Sequence, residues 1–123
     1  MTGEARSAVV GGTEALPSDR DRLLLALAEL AAYGIAAEES LLGTPDQARE
    51  DLLVRLWTRA PRALGSYAFW TRSAESSFDP TGTLRTPLPL HTSDDVAEPA
   101  EFVLHRAGFT VHRTAHRLEV THP

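Results

Sequence analysis

The sequence predicts an α+β fold: an N-terminal helix pair followed by a ββαββ unit, with a four-stranded, mostly antiparallel sheet and the helices on one face. Three observations carry this reading. Apolar residues recur at helical spacing as far as Ala60, the period changes to two after Gly65, and Ser, Thr, Pro and Gly punctuate the changes. Residues 1–16 read as a flexible N-terminal tail, and 17–123 as a single globular domain, a length suited to one core.

The elements follow in order. Ser18 and Asp21 have the spacing of a capping box, so the first helix begins near Asp19. Its apolar stripe runs through Leu23, Leu27, Leu30 and Ala31, and Gly34 is placed to end it in the left-handed conformation. Ala36 to Leu42 reads as a separate short helical turn ending at Gly43. Thr44-Pro45-Asp46-Gln47 starts a second helix over 45–60, with Leu52, Leu53, Leu56, Trp57 and Ala60 as its apolar side and Pro61 as its stop.

Tyr67, Phe69 and Thr71 alternate as in a strand, followed by a polar loop over 72–83 with its turn at Asp79-Pro80-Thr81-Gly82. Leu84, Thr86, Leu88 and Leu90 form a second strand. Pro87 and Pro89 lack donors on one side of it, which makes it an edge strand. A third helix precedes Gly108, starting either near Asp94 with a kink or from about Pro99. The final segment is a hairpin with a four-residue loop over Thr114 to Arg117, in a register that sets Val111 opposite Val120 and His112 opposite Glu119.

Composition excludes several chemistries. Without cysteine there is no disulfide framework, no thiolate nucleophile and no Cys-ligated zinc. Without lysine there is no Schiff-base amine and no phosphate-loop lysine. The net charge of −5 disfavours nucleic acid as a partner of the whole surface. No segment has the roughly 20 apolar residues of a membrane span, and a cytoplasmic location is expected. No cofactor motif is present, and no cofactor is expected.

Three residue groups stand out. Tyr67, Phe69 and Trp70 are too close together for a strand to hide all of them on one face. Either a partner covers one face, or Trp70 lies against the long loop. Arg55, Arg59 and Arg62 form a basic stripe along the second helix, which Arg49 and Arg72 extend. Asp51, four residues before Arg55, offers it an ordinary helix ion pair. His91, Asp94 and Asp95 sit at a strand-to-helix junction where a base and two carboxylates suit catalysis, although helix capping accounts for the acids. His112, His116 and Glu119 share the hairpin and have metal-ligating side chains, but a solvent-facing cross-strand pair explains two of them.

The leading expectation is therefore a non-catalytic protein-interaction or regulatory module, with a protein partner or self-association through Tyr67 and Trp70. The alternatives are a nucleic-acid-associated accessory protein using the arginine stripe, and a small enzyme or metal-binding protein using the His, Asp and Glu groups.

Overall fold

The computed structural model describes residues 16–59, 65–115 and 117–122. The expected tail over 1–16 lies outside them apart from Leu16, which is exposed. The class is α+β, with a five-stranded sheet rather than the expected four.

Helix α1 spans Asp19–Ala32 and begins at the expected capping box. Ser18 Oγ accepts from the Asp21 amide at 3.1 Å, and the Asp21 carboxylate accepts from the Ser18 amide at 3.3 Å. Two otherwise orphaned donors are satisfied in this way. Leu23, Ala26, Leu27 and Leu30 are buried along one stripe, and Gly34 ends the helix with φ of +88°.

The segment expected to form a short helical turn is instead strand β1, Ala36–Leu41. Alanine and glutamate favour helix locally, but Ala36, Ala37 and Glu38 pair in parallel with Tyr67, Ala68 and Phe69, and this long-range pairing overrides propensity. A bulge follows Glu38, where Ser40 takes φ of +51°.

Helix α2, Pro45–Arg59, starts at the predicted residue, with Thr44 and Gln47 exchanging hydrogen bonds of 3.2 and 2.9 Å. Strand β2 is Tyr67–Thr71. A 3₁₀ helix over Arg72–Ser77 occupies the first half of the expected loop. Strand β3 runs over Leu88–Thr92, later than expected, because Leu84 makes only an isolated bridge to Phe78. A 3₁₀ turn, Asp94–Val96, leads into helix α3, Ala97–Arg106, so Pro99 falls in the first turn, where no amide donor is needed. Strands β4, Thr110–Arg113, and β5, Arg117–Thr121, form the hairpin in the expected register, with Val111 opposite Val120 and His112 opposite Glu119.

The sheet order is β1-β2-β3-β5-β4, so the proline-bearing strand is central rather than an edge. Its ladder with β2 pairs Ala68 with Thr92 and Phe69 with His91, both beyond Pro89, so no donor is demanded where proline has none.

The helices lie on both faces, again unlike the expectation. Ala68 and Trp70 of β2 point with Leu88, Leu90, Leu118 and Val120 into a core roofed by α1 and α3. Phe69 points the other way and, with half-buried Tyr67, packs against Ala48 and Leu52 of α2. Alternation along β2 therefore feeds two cores, and it explains why this strand is apolar on both sides.

Two carboxylates tie distant segments together. Glu75 in the 3₁₀ helix accepts from Arg20 Nε at 2.9 Å, Trp70 Nε1 at 2.8 Å and the Ser40 hydroxyl. Asp19, buried at the start of α1, accepts from the Leu84 amide at 2.8 Å and Arg22 at 2.6 Å, and pairs with His122 at 2.7 Å.

Candidate functional site

Helix α2 lies over β1 and β2, and the same face of β3, β5 and β4 carries Pro89, His91, Arg117, Glu119, Thr110 and His112, all half-buried or exposed. Where the first turns of α2 meet this open half, a groove of about 370 Å³ forms among Pro45, Asp46, Arg49, Tyr67, Phe69, His91 and Arg117. The β pairing builds its floor. Phe69 stands opposite His91, and His91 opposite Arg117, so these side chains form one row across three strands.

The aromatic rings of that floor are in contact. Tyr67 and Phe69 lie 5.7 Å apart between centroids, and Phe69 and His91 5.3 Å. Among the described residues neither the His91 ring nor the Tyr67 hydroxyl has a hydrogen-bond partner. Among the described residues the two guanidinium groups hold local ion pairs. Arg49 reaches Asp46 at 3.3 Å, and Arg117 reaches Glu119 two residues along its own strand.

Burial pushes the His91 imidazole below its ordinary pKa, and Arg117 and Arg49 lower it further against the opposing charges of Glu119 and Asp46. The ring is therefore neutral at pH 7, able to donate from one nitrogen and accept at the other. No serine or threonine lines the groove among the described residues, and the hydroxyl in its lining is the phenol of Tyr67. The arrangement is suited to binding an anion and hydrogen-bonding its neighbours.

The residues singled out in the sequence are dispersed. Tyr67 lines the groove, but Trp70 is fully buried against Phe78, with ring centroids 6.1 Å apart. It offers no surface to a partner, and the second sequence reading, Trp70 against the following loop, describes its position. Arg55 makes a two-point pair with Glu38 of β1 at 3.1 and 3.2 Å, in place of the expected pair with Asp51. Arg59 is exposed and Arg62 lies outside the described residues.

His91 is separated from its expected companions. Asp95 instead accepts from the Ser66 hydroxyl, which holds its pKa below the usual carboxylate value, helped by Ser93. Asp94 lines another hollow with Thr92, Ala97 and Arg113. Ser93 occupies the cap position without a side-chain capping bond, and its hydroxyl accepts from the Tyr67 amide at 3.0 Å. In the hairpin, His116 lies outside the described residues. Among the described residues, no three His, Asp or Glu side chains gather as a metal site. No described helix is long and apolar enough to cross a membrane.

Sequence reasoning missed Asp46 and Arg117 as groove residues and had Arg49 only as an extension of the stripe. Compared with known proteins, the chain shows no significant match to any family model, curated protein or solved structure.

Proposed function

We propose that this chain is a non-catalytic protein-interaction module that receives an extended segment of a partner along the uncovered half of the sheet, with the groove beside α2 as its anchor pocket. The observation that carries this reading is the pair of half-buried residues, Tyr67 and His91, whose phenol hydroxyl and imidazole have no hydrogen-bond partner among the described residues. Partly desolvated polar atoms in a concavity gain most from a ligand that supplies the missing hydrogen bonds. The groove opens onto Arg117 and Glu119 of β5 rather than closing around a small molecule, so a chain can lie across it.

The basic stripe gives little support to nucleic acid as the partner, because Arg55, its first member, is already engaged by Glu38. The reading is tested by selection from a random peptide library against the full chain. Selected peptides are expected to bind about tenfold more weakly to Tyr67→Phe, the loss of one hydrogen bond, and to perturb the amide resonances of β3 and β5. A library that yields no binder, or binders indifferent to both Tyr67→Phe and Arg117→Gln, overturns it.

A further inference from the structure

We infer that the group admitted by this groove is a carboxylate from an Asp or Glu side chain of the partner segment, seated between Arg49 and Arg117 against the His91 ring and taken up together with a proton on His91. This rests on the interaction reading above and gives that site its chemistry.

Charge complementarity is the first argument. The lining sets two guanidinium groups, from Arg49 and Arg117, beside the carboxylate of Asp46, and Glu119, paired to Arg117, stands at its edge. They approach from different elements, Arg49 from the second turn of α2 and Arg117 from the strand beside His91. Their present pairs are local: Arg49 holds Asp46, whose side chain is 86% exposed and readily released, and Arg117 holds Glu119 two residues along its own strand. A carboxylate entering between the two arginines gains charge-assisted hydrogen bonds without opening a buried ion pair.

The proton follows from what surrounds His91. Its ring faces Phe69 and Tyr67 of β2, Arg117 and Glu119 of β5, and Arg49 and Asp46 of α2. With the groove empty, burial and the two arginines keep the ring neutral. An added anion within a few ångströms supplies the opposite charge that the imidazolium lacks, and the bound state then holds the proton more tightly than the free state. Affinity must consequently rise as the pH falls from about 7 toward 5, while a partner carboxylate with a pKa near 4 is still ionised. Below about pH 4 that carboxylate protonates and affinity falls again.

The test uses a capped heptapeptide of alternating Glu and Gly and its Gln counterpart, titrated into the full chain and followed by amide and His ring resonances. The Glu peptide is expected to bind at least fivefold tighter than the Gln peptide, to tighten about threefold between pH 7.5 and 5.5, and to move the His91 titration midpoint upward. His91→Gln is expected to lose the pH dependence and to weaken the Glu preference, and Arg117→Gln, at an exposed position, to lose the preference. Equal binding of the two peptides overturns the carboxylate assignment while leaving the interaction reading standing. A Glu preference with an unchanged pH profile in His91→Gln overturns the proton uptake. Free glutamate competing as strongly as the peptide overturns the partner segment in favour of a small acid.

Discussion

Trp70→Ala is expected to cost about 3–5 kcal/mol of folding stability, the largest effect of any single substitution considered. The indole is wholly inaccessible and stands in the core beneath α1 and α3, so its removal leaves a cavity among packed neighbours. Truncation also removes the Nε1 donor that reaches Glu75 at 2.8 Å, leaving a partly buried carboxylate with one bond fewer. Domains of this kind have about 5–15 kcal/mol in total, so the variant keeps little margin. Urea unfolding followed by far-ultraviolet circular dichroism measures the effect. Trp70→Phe keeps much of the packing but loses the hydrogen bond, and is expected to cost less than Trp70→Ala, about 2 kcal/mol. An unfolding midpoint for Trp70→Ala close to that of the parent contradicts the buried placement.

The second large effect concerns acid. Burial alone would raise the pKa of Glu75, but hydrogen bonds from Arg20, Ser40 and Trp70, with the Arg20 charge, outweigh it and hold the carboxyl at about 2, against an ordinary value of 4.5. Because the folded-state value is the lower one, the contribution is complete above about pH 4.5 and disappears as the pH falls toward 2. Glu75→Gln is expected to lose about 2 kcal/mol at pH 7, where a neutral amide accepts weakly from Arg20 and brings an extra donor into a site built of donors. The two proteins should approach each other in stability as the pH falls to about 2 and converge below it, where the parent carboxyl is itself protonated. Thermal midpoints at pH 7, 4.5 and 2.5 decide it. A gap that stays constant over this range assigns the loss to packing rather than to the charge.

Both hubs were out of reach of sequence reading for the same reason. Glu75 and Trp70 lie five residues apart, but what joins them to Arg20 and Ser40 is a contact across 55 and 35 positions, and local pattern carries no such information. What was legible was local. The capping residues Ser18, Thr44 and Gln47, the glycine stop at Gly34, the strand at Tyr67 and the hairpin register of Val111 and His112 all follow from short-range chemistry.

The failures were tertiary. Ala36 to Leu41 has the composition of a helix and becomes a strand because β2 offers it a parallel partner. That addition also places α2 on the face opposite α1, since the helix joins two parallel neighbours and packs on the Phe69 side. The candidate groove inherits this difficulty. Alternation with Leu90 already put His91 on the face away from the main core, but placing it beside Arg117 needed the pairing of β3 with β5 across the whole of α3. Placing Arg49 above it needed the crossover helix.

The kink at Ser40 bears on how copies of this chain meet in concentrated solution. A flat outer strand exposes a ladder of free amides and carbonyls that invites stacking into fibrils. Here the outermost strand on one side is broken by a left-handed residue and a register shift, so a neighbouring molecule finds no straight template there.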